Sequence, residues 1–430
     1  MKSKVYFVDG RSRSPGASLE VKGNAIFDFA GLGDCIEKGD RVAVKVHMGD
    51  RENTGFLRPN LVATIVKKIK EYGGDPFLTD TTTLPYGPWA GRTTAFDYTE
   101  TFTSHGYTPE SVGCPIILAD GTYGLDDIEV DLPEGIQLKK TFIAKAIATA
   151  DAMIVVSHFK GHPAAGIGGA VKNVGVGCVS KKGKYLVHCA DWAKPAFDPK
   201  LCPGKKCEIA DLCENCCPEG AIKVLEKTMK LDEEKCIFCW SCITLCGILG
   251  PNAISTPKGL RDNQNERMAE NALAVMKCFG EGKVGFVHYA IEITPECDCQ
   301  SFTDSPMINN LGVYGSKDPI AIDKACLDAV MQMEGNPYSI AQDEGLMAKG
   351  TERFYVIHKI DPFIQFDHGA KIGLGSKEYE LVKMLFDPKK FLPPRMRTIE
   401  VLRKLYARQH PWKIIKPQLD TILRTRGRVR

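Results

Sequence analysis

The sequence predicts an α/β fold, a mainly parallel sheet with helices on both faces, and three observations predict it. Short β-branched runs alternate with segments of helical periodicity over residues 1–196. The same alternation resumes over residues 259–385. Between them, residues 197–258 are dense in cysteine and break the rhythm, which reads as an insert into one α/β domain.

Taken in order, residues 5–9 and 42–47 are strand-like, the second bounded by Gly39-Asp40 and Gly49. Pro59 suits a first helical turn, where its missing N–H is needed by no partner. Apolar residues then recur at helical spacing over 61–72 and stop at Gly73-Gly74. A strand over 76–79 follows. Residues 116–119 and 153–157 are further buried-strand candidates, with 142–150 predicted as the helix leading into the second. After the insert the pattern predicts a helix over 263–279, a long strand over 284–293 and a helix over 320–333. Residues 386–430 form a basic, helical tail containing Pro393-Pro394 and ending Arg424, Arg426, Arg428 and Arg430. It suits either a docking arm for an acidic partner or a solvated helix pair lying on the domain.

A chain of 430 residues, 43% hydrophobic and 25% charged, buries a sizeable core without disulfide staples. A net charge of +3 is too small to suggest nucleic acid, and none is expected as a partner. The start, Met-Lys-Ser-Lys-Val-Tyr-Phe-Val-Asp-Gly, lacks the apolar core of a secretory signal. No run approaches the ~18 apolar residues of a transmembrane helix, so the expected location is the cytoplasm. Thiols stay reduced there, and seventeen cysteines point to metal rather than to disulfides.

The sharpest motif is Cys236-x2-Cys239-x2-Cys242-x3-Cys246. It has the spacing of bacterial ferredoxins, in which a tight loop gives three thiolates to one cubane and the fourth reaches a second cubane. A looser copy precedes it: Cys202-x4-Cys207-x5-Cys213-x3-Cys217-Pro218. Asp198-Pro-Lys-Leu-Cys and Asp232-Glu-Glu-Lys-Cys introduce the two copies, and Pro-Glu-Gly-Ala-Ile and Pro-Asn-Ala-Ile follow them. The insert therefore reads as a bacterial-ferredoxin-like α+β module for two 4Fe–4S clusters. The crossed rule assigns Cys202, Cys207, Cys213 and Cys246 to one, and Cys236, Cys239, Cys242 and Cys217 to the other. Cys216 is the alternative to Cys217, and four-cysteine zinc sites are the alternative chemistry.

A second constellation begins at Ser157. His158, Lys160 and His162 lie at the carboxyl end of a buried strand, where α/β sheets bind ligands. Gly166, Gly168 and Gly169 then allow close backbone approach, and Lys172, Lys184 and His188 follow. Such a cluster suits an anionic small molecule or a further metal ion. His162, Lys172, His188 and His158 are the candidate catalytic groups. Lys45, His47, Arg58, Arg92, Lys160 and Lys184 are candidates for binding the anion. Cys297 and Cys299 could be an additional metal-ligand pair, a redox-active thiol pair or simply buried cysteines.

Residues 157–178, the paired cysteine motifs, Cys297–Cys299 and the run Gly312-Val-Tyr-Gly-Ser-Lys-Asp-Pro-Ile-Ala-Ile-Asp323 resemble the domain-of-unknown-function 362 family. The resemblance implies an α/β domain with an inserted two-cluster module, in prokaryotes and often in anaerobes. A fainter resemblance links His162, Lys172 and His188, around a Gly-Gly-x-x-Lys core, to the lysine and histidines of the nickel-pincer lactate racemase family. That family's separate Thr-His-Arg-Pro-type motif has no clear counterpart here. The expected function is low-potential electron transfer to or from a partner enzyme or the α/β pocket. The alternative is an oxidoreductase or isomerase acting on an anionic small molecule. The oligomeric state is left open.

Overall fold

The computed structural model describes residues 2–88, 90–188, 194–256 and 263–387. The basic tail from residue 388 onward lies outside the described residues.

Eight strands form the central sheet: β1 (Ser3–Asp9), β2 (Arg41–Lys45), β3 (Asp75–Asp80), β4 (Ile116–Leu118), β5 (Ala152–His158), β6 (Val284–Ala290), β7 (Gly312–Ser316) and β8 (Tyr379–Lys383). Their spatial order is β8-β1-β7-β6-β5-β2-β3-β4. Every neighbouring pair is parallel except the two made by β7, which runs against both β1 and β6.

The central strand shows why the chain folds this way. In β5, Met153 and Val155 belong to one apolar core while Ile154 and Val156 belong to the other. Successive side chains point to opposite faces, so an unbroken apolar run needs cover on both sides. The helices Leu19–Phe29, Pro59–Glu71 and Ala95–Ser104 cover one face through Ile26, Phe27, Ile65, Val66, Tyr98 and Phe102. The helices Gln264–Lys277, Pro319–Met331 and Phe363–Lys371 cover the other through Met268, Ala272, Val275, Ile320, Leu327 and Phe366. The fold is the predicted mainly parallel α/β sheet with helices on both faces.

One sequence expectation fails. Residues 142–150 are not one helix: Phe142 and Ile143 lie in the hairpin Asp127–Asp131/Lys140–Ala144, and only Lys145–Ala148 is helical. Thr141, Ile143 and Ala144 are all fully buried, and the β-branched Thr and Ile suit a pleated strand better than a helix.

The cysteine-rich segment lies outside this sheet. It starts and finishes on one antiparallel pair, Ala196–Phe197 against Ile254–Ser255. Within it are the hairpin Ile222–Val224/Met229–Leu231, the helices Ala210–Asn215 and Ser241–Ile248, and a small core of its own around Ile222, Val224, Met229 and Ile254.

Candidate functional site

Strands β2, β3 and β5 are adjacent and parallel, so their carboxyl ends open on the same edge of the sheet. Lys45 and His47, Asp80 and Thr81, and Ser157 and His158 emerge there together. They line a pocket of about 260 Å³ with Arg92, His162, Lys172, Lys184, His188 and Cys297–Cys299. This is the crevice that parallel sheets leave beyond their strand ends.

Buried charge in the wall is paired. Lys45 Nζ lies 2.8 Å from Asp80 Oδ1 and donates to Asn173 Oδ1 at 2.6 Å. Asn173 Nδ2 in turn donates to Ser157 Oγ at 3.0 Å, tying three elements together. Arg92 Nε donates to Asp50 at 3.0 Å, and Arg92 Nη2 donates to the Cys299 carbonyl at 3.3 Å. Asp298 receives Lys160 Nζ at 2.6 Å and His158 Nδ1 at 3.0 Å, while His158 Nε2 donates to the Ile291 carbonyl at 2.7 Å. Burial pushes the Asp298 carboxyl up, but Lys160 and His158 outweigh it and hold it down at about 2.

Other groups in the pocket are held away from their charged forms. Burial, helped by Arg92 and Lys45, pushes the Lys172 ammonium down to about 7. Burial also pushes Lys184 down to about 8, against the pull of Asp120 and Asp80. Burial and the cations Arg92 and Lys172 drive His47 well below its usual range. His47 Nδ1 accepts the Gly49 N–H at 3.0 Å, so the neutral ring carries its proton on Nε2. That Nε2 is buried with no hydrogen-bond partner among the described residues. An orphaned donor in a cation-lined pocket suits an anionic ligand.

Lys172 is positioned by a short chain of supports. The hairpin Lys160–His162/Gly166–Gly168 turns at Gly166, whose φ of +78° favours glycine. The helix Ala170–Gly175 follows, and Asp323 accepts its first N–H groups, Ala170 at 2.6 Å and Val171 at 2.9 Å. His288 Nε2 holds the same carboxylate at 2.6 Å. A Cβ on Gly169 would sit 2.1 Å from Asp323 Oδ1, so only glycine lets this carboxylate close on the helix.

The Lys172 ammonium then faces two sulfurs. Cys297 and Cys299 are joined as a disulfide, with Lys172 Nζ 3.3 Å from Cys297 Sγ and 3.7 Å from Cys299 Sγ. A ring nitrogen of His162 and the two sulfurs lie within 4.8 Å of one another.

The remaining motif cysteines form two groups. Cys202, Cys207, Cys213 and Cys246 line one small apolar cavity with Ile209, Val224 and Met229. Burial pushes the Cys213 thiol up to about 11, and Cys246, Cys202 and Cys207 push in the same direction. In the second group, burial pushes the Cys242 thiol up, with Cys216, Cys239, Cys236 and Cys217 as its neighbours. Cys217 Sγ accepts the Ala221 N–H at 3.2 Å, whereas the Cys216 thiol donates to the Cys213 carbonyl at 3.2 Å. Four sulfurs crowded in apolar surroundings resist deprotonation unless a cation takes up their charge, and the donor set fits iron–sulfur ligation.

The loop of the second group packs against the pocket wall. Phe238 and Trp240 lie on Tyr185 with ring centroids 4.9 and 6.5 Å apart, and the Trp240 ring is 5.1 Å from that of His188. Tyr86 N–H donates to Ser241 Oγ at 2.9 Å, and Ser241 Oγ is 3.2 Å from Cys239 Sγ.

A family model described as domain of unknown function (DUF362) matches residues 42–328, which takes in the whole pocket and both cysteine groups. The chain belongs to the DUF362 family. No curated protein matches it. Among solved structures it shows a weak resemblance to the lactate racemase apoprotein from Thermoanaerobacterium thermosaccharolyticum, at 13% identity and a TM-score of 0.37. That match covers 78% of this chain and 60% of the other, so this DUF362 chain spans under two thirds of that protein's length.

In this DUF362 pocket, His162, Lys172, His188, His158, Lys45, His47, Arg92 and Lys184 all belong to the lining. Two do not reach it. Arg58 is ion-paired with Glu292 and lines a separate groove beside Glu20 and Asn60. Lys160 acts from behind the wall, through Asp298. Sequence reasoning missed Asn173 and Asp323. Asn173 carried no distinguishing signal; Asp323 stood in the quoted family motif, but its role needed the contact with residue 170.

Proposed function

We propose that the chain is an iron–sulfur electron-transfer protein, in which residues 197–258 carry two 4Fe–4S clusters and exchange electrons with the cationic pocket. Cys202, Cys207, Cys213 and Cys246 would hold one cluster, and Cys236, Cys239, Cys242 and Cys217 the other. The hydrogen bonds of Cys217 and Cys216 favour Cys217, whose sulfur accepts while that of Cys216 donates. Each cluster, when bound, supplies or takes up one electron at a time.

The observation that carries this reading is the contact of Trp240 with His188. Trp240 lies inside the second cysteine run, and His188 lines the pocket, so the module touches the place where a ligand would sit. The pocket's own residues bind and orient an anion: Lys172, Lys184 and the unpartnered His47 Nε2 offer hydrogen-bond donors, while Asp80 and Asp298 keep Lys45 and Lys160 fixed. The test is spectroscopic. Anaerobically purified protein is assayed for iron and sulfide and reduced under electron paramagnetic resonance. Two interacting low-potential signals support the reading; zinc without sulfide ends it.

A second reading rests on Lys172 and His162. Both are driven toward their neutral forms in one pocket, His162 mainly by burial and then by Lys172. Neutral bases near an anionic ligand suit proton abstraction by an oxidoreductase or isomerase. Replacing His162 with Gln separates the readings: lost turnover with unchanged cluster reduction favours the enzyme.

A further inference from the structure

We infer that Cys297 and Cys299 form the electron acceptor of the pocket, a redox-active disulfide that combines single electrons into a pair. The inference rests on the iron–sulfur reading, and it goes beyond it by naming what the electrons reach.

Four observations carry it. The two sulfurs are bonded across a single intervening residue, and that residue is fixed. Asp298 is clamped by Lys160 and His158 through its side chain, and its carbonyl accepts the Asp50 N–H at 2.8 Å. Both sulfurs face one ammonium, Lys172 Nζ, at 3.3 and 3.7 Å. A cation there stabilises a thiolate as it forms. Both sulfurs also line the pocket that His188 lines, and the His188 ring lies 5.1 Å from that of Trp240 in the second cysteine run. A disulfide holds as a pair the electrons that a one-electron carrier supplies singly.

The step balances. The Sγ–Sγ bond breaks as two electrons enter it, supplied one at a time by the reduced iron–sulfur module. Two protons are taken up, one from the Lys172 ammonium and one from water, and two thiols result. Lys172 regains its proton from solvent.

The test counts electrons and thiols in the full anaerobic protein. Titration with a reduced viologen should show uptake of about four electrons per chain in the wild type and about two in Cys299→Ser, with cluster spectra alike in both. After reduction, acid quench and removal of iron and sulfide, iodoacetamide added in denaturant at about pH 8 should label both Cys297 and Cys299, and neither in unreduced protein treated alike, as read by mass spectrometry of that peptide. Free thiols in the unreduced protein overturn the inference. So does an intact disulfide beside fully reduced clusters. So does a non-cluster metal ion held in the wild type and lost in Cys299→Ser, which would make the pair ligands with His162. Absence of clusters in the wild type sinks the iron–sulfur reading instead, which separates the two failures.

Discussion

Lys160 Nζ lies 2.6 Å from Asp298 Oδ1 with both side chains almost fully buried. A buried pair of this kind adds little net stability by itself, but breaking it strands a charge. Asp298→Asn leaves Lys160 and His158 without their carboxylate and should cost roughly 3–5 kcal/mol in urea unfolding. A loss below about 1 kcal/mol would show that water reaches Lys160 and dispose of the clamp.

The same carboxyl sets an acid limit. Its folded value, about 2, is below its unfolded value near 4, so its stabilisation is present above pH ~4 and fades as pH falls through ~2. The shift corresponds to about 3 kcal/mol. The difference in melting temperature between wild type and Asp298→Asn should therefore narrow between pH 4 and pH 2. A constant difference over that window would refute the assignment.

The proposed anion site can be tested through Lys172 near neutrality. Its ammonium is pushed down to about 7, so lowering the pH through that value adds a positive charge to the pocket. Sulfate, whose own charge is constant there, should bind more tightly at pH 6 than at pH 8 by about five- to tenfold, by calorimetry. Lys172→Met should flatten this dependence. A slope that survives the substitution would move the titration to another group.

The crossed assignment of the cysteines predicts a pattern of partial loss. Cys213→Ser and Cys217→Ser should each lower iron from about eight to about four per chain, with different remaining spectra, whereas Cys216→Ser should keep about eight. Loss in Cys216→Ser with retention in Cys217→Ser would exchange the two roles.

Gly169→Ala tests the support of Lys172. The new methyl would press on the Asp323 carboxylate, which His288 holds from the other side. The cost should be roughly 1–3 kcal/mol, with weaker sulfate binding as the helix Ala170–Gly175 shifts. Unchanged melting and binding would mean that Asp323 moves freely.

The sheet was legible where one strand carries its own signal. Residues 153–156 are apolar throughout, and a strand covered on both faces needs nothing else to declare itself. Strand β7 was not recognised, because Gly312-Val-Tyr-Gly-Ser has two glycines in five residues and no run of apolar positions. Its glycines are used in packing: a Cβ on Gly315 would sit 2.7 Å from Ile26 of the helix Leu19–Phe29. Such a reason exists only once the helix is in place.

In the site, the strand-end cations were legible because parallel strands deliver their carboxyl ends to one edge. Their partners were not. The link from Lys45 to Asn173 spans 128 residues, and the link from Lys160 to Asp298 spans 138. Local spacing holds no trace of pairings made by topology. The cysteine groups are the opposite case, since their members lie within short stretches of chain, where a ligand spacing of the ferredoxin type is visible.

Strand β8 pairs in parallel with β1, from Ser3 against Tyr379 to Phe7 against Lys383. It therefore shields hydrogen-bonding groups that β1 would otherwise present to solvent. A chain shortened to end before Tyr379 would keep the pocket and both cysteine groups but leave this flank open. Unpaired strands recruit one another, so such a fragment would self-associate along β1 while its chemistry remained intact.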